Sequence, residues 1–596
     1  MTPRPSIDAR FDDLRPGRER SFRLTGQVGV IQARALDEVG PALDRVEVAA
    51  RRGRWAAGFV AYEAAPGLDP AMSVRERERG DPFAALPLLW FAIFERHEEV
   101  PAFEPIAVDG PATDVAWIAS IDRARYDASV AAIRERIAAG DTYQVNYTFR
   151  LRAEVHRDER DLYRDLCLSQ RGGYAAHLST GPFGVLSASP ELFFRIDDDR
   201  ITTRPMKGTA PRGRWPEEDE DHAGRLASSP KDRAENAMVV DLLRSDLGRI
   251  SVPGTVRANR LFQTERYETV WQLTSTVRST LRRGISLSEA FRALFPSGSV
   301  TGAPKVSTMG LIAELEDAPR GPYCGAIGYL APPGSGEPRA NFNVAIRTVV
   351  RDRRSGIAEF GVGGGITYDS SAAGEFDEAV AKARVLTARR PRFELLETLR
   401  HEPASGFRHL PEHLARLEAS ARYFGFDFVR SDAEAFLEKA VAELGGAEGV
   451  VRLLLARDGS HRIDLSQRPP SFPGPLRVAI HPLPVDPSDV WLYHKTTLRG
   501  PYERRRDDRP DVDDVLLVNH RGELTESTIA NVAVRLGEAW FTAPLGSGLL
   551  AGTYRAVLLR EGRLSERTIR VEELGDADGL ALVSSVRGWR PAVLVP

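Results

Sequence analysis

Arg204-Pro205-Met206-Lys207-Gly208-Thr209 is the stretch from which the chain is read. It follows a strand-like run, Leu192-Phe193-Phe194-Arg195-Ile196, an acidic turn, Asp197-Asp198-Asp199, and Arg200-Ile201-Thr202-Thr203. Pro205 has no N–H for a central ladder, so the strand is expected to end there or to lie at an edge. Gly208 admits a turn or a close ligand. Lys207 stands between them, and lysine is scarce: there are six lysines among 81 basic residues, which leaves 75 arginines. Arginine serves wherever a generic cation will do, so lysine marks positions that need a compact ammonium or a neutral amine nucleophile. Five of the six, Lys207, Lys231, Lys305, Lys382 and Lys495, fall in motif-like stretches, although any one of them alone also reads as solvated surface.

A chain of 596 residues is expected to divide into domains, because single cores stop growing beyond about 250–300 residues. A net charge of −3, with 28% charged and 42% hydrophobic residues, lacks the basic excess of a nucleic-acid binder. Two cysteines, Cys167 and Cys324, are too few for a disulfide framework or a zinc cluster and fit a reducing compartment. Residues 1–20 are polar, unlike a secretory signal, and no apolar run approaches the ~20 residues of a membrane-spanning helix, so a cytoplasmic protein without membrane partners is expected.

Helices are predicted over 36–48, 126–139, 231–247, 287–295, 306–315, 375–388 and 410–424, with Gly140 as a C-cap. Strands are predicted over 55–62, 148–155, 183–188, 192–196, 325–330, 342–350, 357–362 and 393–399. Gly363-Gly364-Gly365 is expected to lead into a loop over 367–374. Residues 101–115 read as a connector, 388–391 as a domain boundary, and 466–475 as a proline-rich linker.

Asp232 and Glu235 share one helix face. Glu375 and Glu378 share another, with Lys382 one turn on. Hard oxygen ligands on separate helices suit Mg²⁺. Spacing alone equally fits acids that favour helix N-termini and a plain Glu378–Lys382 surface pair. The glycine run before Glu375, open to close backbone approach, favours the site.

Six ordered blocks carry a family resemblance. They are Ser189-Pro190-Glu191, 204–209, 235–247, Gly298-Ser299-Val300-Thr301-Gly302-Ala303-Pro304-Lys305, Ala345-Ile346-Arg347-Thr348 and Glu375-Phe376-Asp377-Glu378. Together they resemble the chorismate-utilising enzymes, which include the anthranilate, aminodeoxychorismate, isochorismate and salicylate synthases. The resemblance implies a catalytic domain over 115–390, with 1–110 more loosely similar to the N-terminal part of the aminodeoxychorismate synthase large component. Gln144 stands where water-activating members carry a lysine base, which points to an amine nucleophile. Lys207 stands where anthranilate synthase has alanine, and the resemblance makes it a covalent nucleophile. As such it must be neutral, with its pKa lowered by burial or by a nearby cation. Glu191 is implied as the acid for the departing hydroxyl. Mg²⁺ would sit on Asp232, Glu235, Glu375 and Glu378. Gln144, Thr301, Tyr323, Arg347, Gly363, Gly365 and Lys382 would meet the substrate, chorismate. Gln272, where many relatives have histidine, and Asp232, shorter than the usual glutamate, depart from the pattern.

Over 391–596 five further blocks resemble the class IV aminotransferases, a pyridoxal-phosphate family that includes aminodeoxychorismate lyase. They are 393–399, His413-Leu414-Ala415-Arg416-Leu417, Lys495-Thr496-Thr497, 519–526 and 548–555. The resemblance implies Lys495 as the residue that binds pyridoxal 5′-phosphate covalently, Glu526 at its ring nitrogen, and Arg416, Gly552 and Thr553 at its phosphate. The implied fold class is α+β: a chorismate-binding fold of antiparallel sheets with outer helices, then a fold-type IV domain. The implied function is a two-step route to 4-aminobenzoate, a folate precursor: amination of chorismate, then elimination of pyruvate. No Gly-x-Cys-x-Gly glutaminase motif is present, so ammonia is expected from a separate glutamine amidotransferase. The rival expectation is an anthranilate synthase component I-like enzyme fused to an amino-acid transaminase.

Overall fold

Pro205 interrupts a ladder where its missing N–H requires it: one strand ends at Arg204 and the next begins at Met206. The computed structural model describes residues 7–104, 115–387, 391–466 and 474–596. Most of the expected connector over 101–115, the boundary residues 388–390 and most of the linker over 466–475 lie outside the described residues.

Two units are distinguished: residues 1–212 with 222–391, and Gly213–Asp221 with Arg392–Pro596. Among the described residues the first unit carries an 18-stranded sheet whose pairings are antiparallel, and strands on both sides of the connector share it. Trp55–Val60 pairs with Ala326–Leu330. Helices cover its apolar faces. Leu287–Leu294 starts with a reciprocal Ser286–Glu289 capping box and buries Leu287, Phe291 and Leu294. Phe291 meets Phe194 edge-on at 5.3 Å and Phe342 at 5.2 Å. Truncating a phenylalanine so enclosed costs about 3–5 kcal/mol. A second core fixes the helix Ala372–Ala383. Phe376 of Ala372–Ala383 stacks on Phe149 of Gln144–Glu154 at 5.9 Å, and Tyr126 closes the contact at 5.2 Å from Phe376.

Two predicted elements differ. The single strand over 342–350 is two, Ala340–Val344 and Thr348–Asp352. Arg347 between them takes a left-handed φ of 53° and points its side chain into a buried site rather than along the ladder. Gly363-Gly364-Gly365 lies within the strand Ile357–Ile366, longer than the predicted 357–362, and the loop it leads into is shorter than expected, covering 367–371 before helix Ala372–Ala383. A Cβ at Gly363 would stand 2.1 Å from the Tyr147 carbonyl oxygen across the ladder, so this pairing requires glycine.

The second unit is also α+β. Its antiparallel sheet pairs Leu395–Glu402 with Gly449–Leu455. An eight-stranded mixed sheet places Leu476–Ile480 parallel to Asp514–Val518 and to Gly588–Leu594. Helix Leu410–Phe424 ends at Gly425, whose φ of 69° makes the left-handed stop. The linear division of the chain did not anticipate that Gly213–Asp221 belongs to this unit. It does so because Trp215 packs on an apolar cluster of Val485, Leu492, Tyr493 and Tyr502. Among the described residues no helix is long and apolar enough to cross a membrane.

Candidate active sites

The first site is a cavity of about 270 Å³. Strand Met206–Pro211 runs beside Val270–Thr280, and its register shifts between Met206 and Thr209. The shift is a bulge with Gly208 at φ 98°, and it re-aims Lys207 toward the cavity. The Lys207 Nζ lies 3.7 Å from the Glu235 carboxylate, which also meets Lys231 at 4.0 Å. An anion therefore stands beside Lys207, where a nearby cation was one of the two expected aids to a neutral amine, burial being the other.

Helix Pro230–Gly248 presents Asp232 and Glu235. Pro230 opens it, and Ser229 caps it by accepting from the Asp232 amide. Helix Ala372–Ala383 presents Glu375, Glu378 and Lys382. Ser370 donates to Glu375 at 2.7 Å; Lys382 pairs with Glu378 at 2.8 Å and donates to the Gly363 carbonyl at 2.9 Å. All four acids line the cavity. Burial raises the pKa of Glu235, and Asp232 and Glu375 raise it further against the pull of Lys207 and Lys231. Lys382 lowers that of Glu378. Among the described residues no group of three or more His, Cys, Asp or Glu stands close enough to hold a metal ion. The donor chemistry fits a hard divalent cation, and the acids would have to draw together around it.

Glu191 is the most perturbed acid here. It is 2% exposed, and burial pushes its carboxyl up to about 8 despite a 2.6 Å hydrogen bond from Ser299 and the nearby Lys207. Glu191 is thus a protonated acid at neutral pH. Its backbone is fixed as well: the Val344 amide donates to its carbonyl, and Ser189 accepts from its amide.

Gly365 brings strand Ile357–Ile366 hard against the site, because a Cβ there would lie 2.0 Å from Lys207 Nζ and 2.6 Å from Gln144 Nε2. Gln144 is 1% exposed, and neither amide atom has a hydrogen-bond partner. Arg347 is buried and donates to Gln170 at 3.0 Å; burial lowers its guanidinium to about 10. A buried cation held by a neutral amide is open to an anionic ligand. Tyr323 lies beneath Gly361, where a Cβ would meet its ring at 2.2 Å. Of the expected residues, Gln144 and Thr301 do not line the cavity, and the Thr301 hydroxyl donates to the Ser297 carbonyl at 3.0 Å. Sequence reasoning did not single out Ser299 or Gln170 for any role.

Another cavity of this unit, about 670 Å³, holds none of the expected residues and is lined by arginines such as Arg18, Arg200 and Arg278.

The second site, about 320 Å³, brings together Arg416, Lys495, Glu526, Gly552 and Thr553. Lys495 is partly buried, and burial followed by Arg416 lowers its ammonium to about 8 against the pull of Glu397. Burial raises Glu526 to about 7, although Tyr502 donates to it at 2.9 Å and the Leu550 amide at 3.2 Å. Arg416 gives two hydrogen bonds to Glu397, at 2.8 and 2.7 Å, and one to the Ala551 carbonyl at 2.9 Å. His413 joins Glu397 at 2.6 Å and Ser585 at 2.8 Å. Burial opposes ionisation of Glu397, but Arg416 and His413 outweigh it and hold the carboxyl at about 2. Gly552 precedes helix Thr553–Arg560 and supplies no capping side chain, so the first amides of the helix stay open. A Cβ at Gly552 would collide with Asn531 Oδ1 at 1.9 Å. An amine, a buried carboxylate, an arginine and an uncapped helix start fit pyridoxal phosphate in each part. Glu397, His413 and Tyr502 were missed; the only local signal was His413 one turn before Arg416.

A sequence model described as chorismate binding enzyme matches residues 11–388. A model of class IV amino-transferases matches residues 394–595. The chain is 45% identical over 266 residues to an aminodeoxychorismate synthase of Streptomyces griseus, covering 44% of this chain and 36% of that protein. It is 41% identical over 285 residues to anthranilate synthase component 1 of Streptomyces coelicolor, covering 47% and 55%. The chain thus spans about half or less of these curated relatives. A crystal structure of anthranilate synthase component I from Streptococcus pneumoniae superposes with a TM-score of 0.52 at 25% identity, covering 64% of this chain and 93% of that one.

Proposed function

The chain belongs to the chorismate binding enzyme family, and from that premise we propose that it aminates chorismate to 4-amino-4-deoxychorismate and then eliminates pyruvate to give 4-aminobenzoate. The observation that carries the first step is Glu191, a buried acid with its carboxyl near 8, lining one cavity with Lys207. Lys207, once its ammonium proton has passed to the Glu235 carboxylate 3.7 Å away, forms a bond to ring C2 while the ring double bonds shift and the C4–O bond breaks. The Glu191 proton goes to the leaving oxygen, which departs as water. Ammonia then bonds to C4, the C2–N bond breaks, and the lysine amine is released. The product ammonium or solvent returns a proton to Glu191. Arg347 and Tyr323 meet the substrate's anionic groups, and Gln144, with both amide atoms free, faces Lys207 across Gly365. Asp232, Glu235, Glu375 and Glu378 would hold Mg²⁺, which supplies positive charge to a substrate carboxylate. Ammonia comes from a separate glutamine amidotransferase.

In the second site Lys495 would hold pyridoxal phosphate, which supplies an electron sink when bound. Glu526 would face its ring nitrogen, and Arg416 with the Gly552–Thr553 amides would hold its phosphate. Product identification from chorismate, ammonium and Mg²⁺, with and without pyridoxal phosphate, tests the whole reading. 4-Aminobenzoate that appears only with both cofactors supports it. Anthranilate as the main product sinks the first half and favours the anthranilate synthase reading.

A further inference from the structure

Gly213–Asp221 lies, in sequence, between Thr209 and Asp232, yet it is part of the second unit. Its contacts fall on the residues beside Lys495 and Glu526. The Trp215 ring stands 5.2 Å from that of Tyr493, two residues before Lys495. Arg214 lies over both rings, at 4.6 Å from Trp215 and 5.7 Å from Tyr493. It donates to the Pro487 carbonyl at 3.3 Å, the same oxygen that accepts from Tyr493 at 2.7 Å. Glu218 clamps the guanidinium at 2.7 Å and receives the Arg214 amide at 2.6 Å, so the strap is internally braced. Tyr423 donates to the Gly213 carbonyl at 2.6 Å, and its ring faces His494, next to Lys495, at 4.4 Å. The apolar cluster under Trp215 also holds Tyr502, the donor to Glu526.

We propose that Arg214 and Trp215 are positioning residues of the second site, fixing Tyr493 and Tyr502 so that Lys495 and Glu526 are held ready for the cofactor. The inference rests on the pyridoxal-phosphate reading above. The physical case is preorganisation: an aromatic pair adds about 0.5–1.5 kcal/mol beyond the area it buries, and a side chain set loosely loses affinity because binding must then order it. No residue of 213–221 lines the second site's cavity.

The test uses the full chain, stripped of cofactor and titrated with pyridoxal phosphate, with visible absorbance as the readout. Trp215→Ala and Arg214→Gln are expected to raise the apparent Kd about tenfold. Trp215→Phe, which keeps the ring contact, is expected to stay within about twofold of wild type. Unfolding midpoints of all three are followed alongside. A generally destabilised protein shows a lowered midpoint with Kd unchanged once corrected for the folded fraction, and that result overturns the proposal. Wild-type affinity in both Trp215→Ala and Arg214→Gln overturns it alone. Absence of any absorbance change in the wild type removes the pyridoxal-phosphate reading and this inference together.

Discussion

Ser299 donates its hydroxyl to Glu191 Oε1 across 2.6 Å, in a wall where Glu191 is 2% exposed. The hydrogen bond favours the charged form and burial opposes it, and burial wins.

Glu191 therefore sets a pH limit. The first reaction needs its proton, so the rate is expected to fall as pH rises through about 8. Glu191→Gln should lower that rate by about 10²–10⁴-fold. Stability supplies a second reading. In the folded chain Glu191 keeps its proton up to about 8, whereas unfolded it loses it near about 4.3. Between those values the folded state binds more protons, so the contribution of Glu191 to stability falls as pH rises. Glu191→Gln should gain stability relative to wild type across that window in urea unfolding and show no such gain below it. A difference that does not change with pH sinks the assignment.

Gly365→Ala is expected to cut the first reaction by about 10²-fold, the scale of a misplacement of about 1 Å at a reacting group. The added methyl would meet Lys207 Nζ at 2.0 Å and Gln144 Nε2 at 2.6 Å, so one of the two must move. Steady-state kinetics check this. An alanine variant with wild-type kcat shows that Lys207 reacts from another position, or not at all.

Glu235→Gln and Glu375→Gln are expected to raise the Mg²⁺ concentration needed for the first reaction by about 10–100-fold, the scale of perturbing a metal's ligand set, while the second reaction survives. The basis is four carboxylates around one cavity, with Glu235 held toward its neutral form by burial and by its acidic neighbours. Unchanged Mg²⁺ titrations in both variants return these acids to the role of helix-start residues.

What could be read from the sequence was local. Lys207 stood out because lysine is scarce and because a proline and a glycine flank it; the paired acids stood out through helical spacing. Glu191 was placed by its motif, but its partner Ser299 is 108 positions away, and Gln170 lies 177 positions from Arg347. No periodicity records such pairings. Glu397 looked like a polar residue within a strand, and its charge pairing with Arg416 exists only once strand and helix pack. The strand over 342–350 failed because its apolar run hid the left-handed turn at Arg347. Thr301 was carried over by motif position, whereas its hydroxyl is spent on Ser297.

Lys495 is expected to carry the second reaction. Its ammonium is lowered to about 8, so a sizeable neutral fraction is available near neutral pH, and arginine supplies none. Borohydride should fix the cofactor at Lys495 in the wild type, as a peptide map would detect. Lys495→Arg should lose both the fixed cofactor and its visible absorbance, and 4-aminobenzoate formation should stop while 4-amino-4-deoxychorismate accumulates. Glu526 gives an independent arm. Its carboxyl, near 7, must be ionised to face a cationic ring nitrogen, so Glu526→Gln should slow the second reaction and flatten its rise with pH between about 6 and 8. If the wild type binds the cofactor and exchanges amino groups between amino and keto acids, but releases no pyruvate from 4-amino-4-deoxychorismate, the lyase assignment fails and the cofactor assignment stands. If Lys495→Arg keeps full lyase activity, both fail, because no arginine can take the place of the amine that the cofactor needs.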